Sequence, residues 1–155
     1  MKRWLWLLLL AVAWARDLRQ DLENAYHEAE LCARLKFVDG MLGHRAAGFQ
    51  LFGPDGLSRD LTLERDRFQV LFSRATRVRL RAQLLKIVPT QAGAHVDVSE
   101  SLVVEQVDPA TRELYTIVLN SRVIDTWEYR DGGIRLTASS VQNQTSQRAG
   151  PLRER

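Results

Sequence analysis

The sequence predicts an α+β domain: a strongly curved antiparallel sheet packed on about three N-terminal helices. Two observations carry this. Apolar residues recur every three or four positions from Leu18 to Ala33 and again from Phe68 to Ala75, then every second position from Val78 to Leu84 and in the strands that follow. Leu119 to Gln142 forms two alternating runs that meet at Asp131-Gly132, a dipeptide suited to the positive φ angles of a two-residue hairpin turn. Helices first and long strands after, in separate blocks, give an α+β domain rather than a parallel sheet.

The 155 residues suffice for one domain with a core of its own. Hydrophobic content of 45% and charged content of 26% are those of a globular chain. Residues 1–15 read as a cleavable secretory signal. Met1-Lys2-Arg3 is a short basic start and Trp4 to Trp14 is apolar. Ala13-Trp14-Ala15 places small residues before Arg16, so cleavage is expected after Ala15. The expected location is therefore secreted or periplasmic, with no membrane attachment once the signal is removed. Loss of Lys2 and Arg3 leaves 20 basic residues against 19 acidic ones, so the formal charge falls from +3 to +1. That balance argues against a nucleic-acid partner. The one cysteine, Cys32, lies on an apolar helical face and reads as filler.

Asp17 to Leu35 is expected to be a helix. Leu18, Leu22, Ala25, Tyr26, Ala29, Cys32 and Ala33 form its apolar stripe. Phe37 to Leu42 is a short second helix. Phe49 to Phe52 is a short strand, closed by the turn residues Gly53-Pro54-Asp55-Gly56. Thr62 to Arg74 is a third helix, with Thr62 as N-cap and Glu64 in its first turn.

Four long strands follow. Val78, Leu80, Ala82 and Leu84 alternate with polar residues, and the phase slips at Leu84-Leu85, which predicts a β-bulge. His95 to Val107, Glu113 to Arg130 and Gly133 to Gln144 complete the set. The domain is thus expected over residues 16–144, with 145–155 a disordered polar tail.

Over residues 17–144 the chain resembles the nuclear transport factor 2-like superfamily, the cystatin-like α+β cone shared with SnoaL-like polyketide cyclases and ketosteroid isomerases. The likeness rests on Ala25-Tyr26 in the opening helix, Val38-Asp39-Gly40-Met41-Leu42, the strand ending in Pro54-Asp55-Gly56, and Asp125-Thr126-Trp127 ahead of Asp131-Gly132-Gly133. It implies a cone with a pocket inside, and the last two motifs look most like the small exported or cytosolic SnoaL-like members; with the signal pattern, a small exported bacterial member is expected. In the isomerase-like members a catalytic Asp directly precedes the Pro. Here that position is Gly53, which supplies no base.

Register brings candidate residues together. Pairing by apolar matching sets Val78 opposite Val104, Leu80 opposite Leu102 and Leu84 opposite Val98, which leaves Glu100 opposite Ala82 on the apolar face. Counting back from Asp131-Gly132 sets Tyr129 opposite Ile134, Trp127 opposite Leu136 and Asp125 opposite Ala138. Ser121 and Ser140 lie further along that face. Two acids on faces that otherwise read as core, each facing an alanine, suggest a cavity with a polar floor. The candidate pocket is Tyr26, Glu100, Ser121, Asp125, Trp127 and Ser140, with His44 at its mouth. The competing reading places the acids at a solvated strand end or cone mouth. Arg74, Arg77, Arg79 and Arg81 form a basic strip, read as a solvated outer face paired with Glu105 and Asp97. His27 and His95 stand apart. No histidine pair has metal-ligand spacing and no phosphate-binding, dinucleotide or nucleophile-elbow motif occurs, so neither metal nor cofactor is expected.

Three functions fit these residues. The favoured one is an exported cone domain that binds a small, partly apolar molecule without a demonstrated reaction. The second is an isomerase, cyclase or dehydratase using Asp125 or Glu100 as base. The third is a protein-interaction module that dimerises through the convex sheet face, where Thr116, Val118, Asn120, Arg122 and Ile124 would lie.

Overall fold

The computed structural model describes residues 2–150, with side chains from Asp17 onward. The export signal expected at residues 1–15 lies outside the residues whose side chains are described. Three helices precede or interrupt the first strands: α1 (Lys2–Arg34), α2 (Val38–Met41) and α3 (Leu61–Ser73). Six strands, β1 (Arg45–Phe52), β2 (Ser58–Asp60), β3 (Ala75–Pro89), β4 (Gly93–Val107), β5 (Leu114–Arg130) and β6 (Gly133–Ala149), form one sheet in the order β2-β1-β6-β5-β4-β3. The fold is α+β, a curved open sheet covered by helices on one side. Among the described residues no helix is long and apolar enough to cross a membrane.

The four long strands are antiparallel, as their period of two predicts. β1 is the exception: it runs parallel to β6, with Leu51 beside Ser139 and Phe52 beside Ser140. β2 pairs antiparallel with β1 and extends the edge. Three residues are too short a run for alternation to show, so β2 left no mark in the sequence. The cap of α3 also differs from the expected Thr62. Asp60 is the N-cap, and its carboxylate accepts the Leu63 amide proton at 2.9 Å. Both Asp and Thr cap well, and the helix starts two residues earlier than the apolar stripe indicated.

The tail expected from residue 145 is strand through Ala149. Thr145 to Ala149 pair with Asn120 to Thr116. Backbone pairing needs no apolar side chains, which is why a polar sequence concealed it. Arg148 anchors this end, its guanidinium 4.0 Å from the Tyr115 ring centroid and its Nη2 3.1 Å from Asp108.

Two apolar clusters form the core. Leu18, Leu22, Ala25 and Tyr26 of α1 pack on Phe49, Val96, Val98, Val123 and Trp127. Ala33, Val38, Met41 and Leu42 pack with Phe72 on Val78, Leu102 and Val104, and half-buried Cys32 joins this second cluster. The helical stripe read from the sequence is therefore the face that meets the sheet.

The β3–β4 register is the expected one, with Val78 beside Val104, Ala82 beside Glu100, and a slip at Leu84–Lys86. The β5–β6 register starts as expected, Tyr129 beside Ile134 and Trp127 beside Leu136. Asp131 and Gly132 adopt φ angles of 50° and 77°, the left-handed values this turn requires. One step further the pairing departs from prediction. Thr126 pairs with Ala138 and Asp125 with Ser139, so β6 advances two residues while β5 advances one. Thr137 is the extra residue, and its hydroxyl donates to the Thr126 carbonyl at 3.1 Å.

Candidate functional site

That bulge decides which side chains face the interior. Without it Ala138 and Ser140 would point inward with Leu136. With it Ser139 and Val141 do, and both are buried. Ser140 therefore leaves the candidate pocket for the outer face, beside Ile124, and Ser139 takes its place. A bulge in a run of Thr, Ala and Ser has no apolar phase to betray it.

Asp125 is 2% exposed, and three polar side chains surround it. Ser139 Oγ donates to Oδ1 and the Tyr26 hydroxyl to Oδ2, both at 2.5 Å. Trp127 Nε1 donates to the Tyr26 oxygen at 3.0 Å, and the two rings meet edge to face at 5.4 Å. Burial pushes the Asp125 carboxyl above its ordinary value, against the pull of the Ser139 and Tyr26 hydrogen bonds and the Arg45 charge. Burial, and then the Asp125 charge, raise the Tyr26 phenol well above its usual range. Tyr26 directs its single proton at Asp125, so it is not free to donate to a ligand's oxyanion. Asp125, the more prominent acid in the sequence, is thus held inside a closed hydrogen-bonded chain.

Glu100 is the opposite case. It lies on β4 between Ala82 of β3 and Ser121 of β5. It is half-buried and borders both the cavity and an outer depression lined by Glu30, Arg81 and Asn120. Burial raises its carboxyl to about 7, with the Asp125 charge adding, the Arg45 charge opposing and the Glu64 charge adding. Low dielectric and a neighbouring acid are the standard means of bringing a carboxyl to neutral pH.

The cavity has a volume of about 120 Å³. Ala25, Met41, Leu51, Phe68, Leu80 and Leu102 supply apolar wall, and Glu100, Ser121, Asp125 and Ser139 the polar part. A dry cavity of roughly 150 Å³ admits one benzene-sized ring. His44 lines the same space, its ring 6.4 Å from Trp127, with Nε2 2.7 Å from Glu28 Oε2. It is thereby engaged with an acid of α1.

Sequence reasoning missed a second set of lining residues. Arg45, Arg59 and Arg67 gather around Glu64, whose side chain is 3% exposed. Arg59 Nε donates to Oε1 at 2.8 Å, Arg67 Nη1 lies 3.7 Å from the same oxygen, and Arg45 Nη1 is 3.6 Å from Oε2. Glu64 was read as a first-turn acid of α3, which it is. Its burial depends on β1 and β2 flanking that turn, and no local pattern signals it.

The remaining charged residues lie elsewhere. Arg77 and Arg79 share Glu105 as expected, whereas Asp97 pairs with Arg122, at 2.6 Å, and not with the strip. His27 is exposed, and His95 sits beside Thr126 at 3.2 Å. Gly53 begins a turn in which its amide donates to the Leu57 carbonyl at 2.8 Å.

No protein-family model matches the chain, and no curated protein matches it in sequence. Solved structures do match in shape. A scytalone dehydratase candidate from Novosphingobium aromaticivorans superposes with a TM-score of 0.66 at 9% identity, over 88% of this chain and 94% of that one. A cystatin-like domain of unknown function from Nostoc punctiforme gives 0.59 at 12% identity, over 79% and 75%. Hexachlorocyclohexane dehydrochlorinase from Novosphingobium barchaimii gives 0.56 at 9%, over 83% and 89%. The chain has the nuclear transport factor 2-like cone fold. Within that fold the cavity occupies the space between sheet and helices, and Asp125, Tyr26 and Trp127 form its hydrogen-bonded floor.

Proposed function

We propose that this protein is an exported cone domain that binds one small, partly apolar molecule in the cavity. The observation that supports it best is Glu100: a carboxyl inside an apolar-walled cavity, held by no hydrogen bond among the described residues while every polar atom of the floor is engaged. A polar group left free inside a preformed cavity is what orients a ligand there. A fragment screen by ligand-detected NMR tests this. Fragments no larger than one ring are expected to bind, and Ala82→Leu, which fills the cavity opposite Glu100, is expected to abolish binding while leaving the fold intact. Binding that survives Ala82→Leu refutes the reading. Export rests on the signal pattern of residues 1–15. Intact mass of the chain recovered outside the cytoplasm is expected to show Arg16 as its first residue, and a chain retained inside with Met1 in place refutes it.

A second reading has its own support. Glu100 is raised to about 7, so it is poised to accept and return a proton near neutral pH. Two of the similar structures bear names of elimination enzymes, a dehydratase candidate and a dehydrochlorinase. In this reading Glu100 is the base, and Asp125 with Tyr26 only shapes the floor. Turnover of any bound fragment that is lost in Glu100→Gln but kept in Ser121→Ala is the expected signature. Equal loss in both would remove Glu100 from that role.

A further inference from the structure

β6 carries an unpaired backbone edge. β1 occupies its free side only as far as Ser140, which pairs with Phe52, and the chain then turns away at Gly53. Residues 143–149 continue along β5 without a bulge, Asn143 beside Arg122 and Ala149 beside Thr116, and all of them are exposed. Every second residue of such a stretch directs its amide and carbonyl away from β5, where no backbone among the described residues meets them. The other two edges of the sheet are protected in the ways natural edges are. β2 is only three residues long. On β3, Glu30 Oε1 accepts the Ala82 amide proton at 2.7 Å, Lys36 Nζ donates to the Ala75 carbonyl at 3.1 Å, and the strand bulges between Leu84 and Lys86. Residues 143–149 hold no proline, lysine, acid or bulge. Beside them on β5, Ile117, Val118 and Leu119 stay only half-buried.

We infer that two copies of this chain join here, β6 to β6 in antiparallel, so that their sheets become continuous. The stretch is self-complementary about a two-fold axis through Ser146. All of residues 143–149 then pair: Thr145 faces Gln147, Asn143 faces Ala149 and Gln144 faces Arg148. Arg148, the one charge in the stretch, meets an amide and not its own copy, and Asp108 at 3.1 Å already matches its charge. A foreign peptide added to an edge draws its specificity from pockets for alternate side chains. This edge presents Asn, Gln, Ser and Thr, which pair well with their own kind. Seven paired residues span about 24 Å and bury less than about 1,200 Å², so the dimer is weak, with a Kd of roughly 10–100 µM. The inference is independent of the reading of the cone as a ligand site, but the two meet at Gln144, which is exposed and also lines the cavity. The second copy thus borders the cavity rim.

Sedimentation equilibrium of the protein from about 1 to about 500 µM tests this. A reversible monomer–dimer equilibrium is expected, and a monomer throughout overturns the inference. Ser146→Lys or Ser146→Glu opposes like charges at the two-fold axis and is expected to weaken the dimer about threefold to fivefold, the range of a cross-strand pair. An equimolar mixture of the two variants should regain at least the parent affinity, which misfolded variants could not do. A mixture that associates no more tightly than either variant alone overturns the pairing. Ile124→Glu, on the outer sheet face, should leave the dimer unchanged. A dimer lost in Ile124→Glu and kept in both Ser146 variants overturns the edge and puts the contact on the outer face.

Discussion

Tyr26→Phe isolates the polar floor from its packing. The substitution removes one oxygen and keeps the ring, so the edge-to-face contact with Trp127 at 5.4 Å persists. Two buried groups lose their partner at once. Asp125 Oδ2 loses a donor at 2.5 Å, and Trp127 Nε1 loses an acceptor at 3.0 Å. Each orphaned buried group costs about 1–3 kcal/mol, so the variant should lose about 3 kcal/mol of stability. For a domain of this size that is roughly 10 °C in Tm. Urea unfolding monitored by circular dichroism gives the free energy, and a double-mutant cycle with Asp125→Ala gives the coupling, expected to exceed about 1 kcal/mol. Acidification should reduce the deficit. The folded Asp125 carboxyl is raised above its ordinary value, so its ionised form is the strained one, and protonation at low pH relieves the loss of a hydrogen-bond donor. A loss below about 1 kcal/mol, or additive single variants, would show that the Tyr26–Asp125 bond contributes nothing to the fold.

Glu100 should give the protein a stability that declines with pH. Its folded value, about 7, lies above 4.5, so the folded state holds its proton more tightly and stability falls as pH rises from about 4.5 to about 7. Asp125, Arg45, Glu64 and Tyr26 surround it from the other elements, and Glu100→Gln should flatten this part of the profile in denaturant titrations at stepped pH; an unchanged slope refutes the assignment. Asp60→Ala should cost about 1 kcal/mol through loss of the α3 cap, read as a lower urea midpoint with unchanged m-value, whereas Thr62→Ala should cost much less. Gly93→Ala should destabilise by about 2 kcal/mol, because a Cβ there would lie 2.2 Å from the Trp127 carbonyl oxygen and strand backbone must move to admit it. A Tm within a degree of the parent would show that β4 and β5 separate freely at that point.

Secondary structure and most of the register were legible in the sequence because both are set by neighbours along the chain. The spacing of Leu18, Leu22 and Ala25 defines a helical stripe whatever it meets, and the two-residue turn at Asp131-Gly132 dictates which residues face each other for the next few pairs. Glu100 opposite Ala82 followed from the same arithmetic, since Val78, Leu80 and Leu84 leave a single phase that buries all three. The resemblance to the cone fold drew on those same local features.

Tertiary structure alone decided how the site is wired. Asp125 faces Ser139 and not Ala138 because an extra residue, Thr137, enters β6, where neither phase has an apolar side chain to favour it. Tyr26 and Asp125 meet across 99 residues through the packing of α1 on the sheet. Arg45, Arg59, Arg67 and Glu64 converge because β1 adds in parallel to β6 and carries β2 and α3 with it, a long-range pairing that no local periodicity encodes. The chain sequence thus determined that one face of the sheet would hold two acids among apolar neighbours. Only the closed cone determined that one of them, Asp125, is bound into the floor by hydrogen bonds, and that the other, Glu100, faces the cavity without one among the described residues, since each outcome depends on donors brought in from elements distant in the chain.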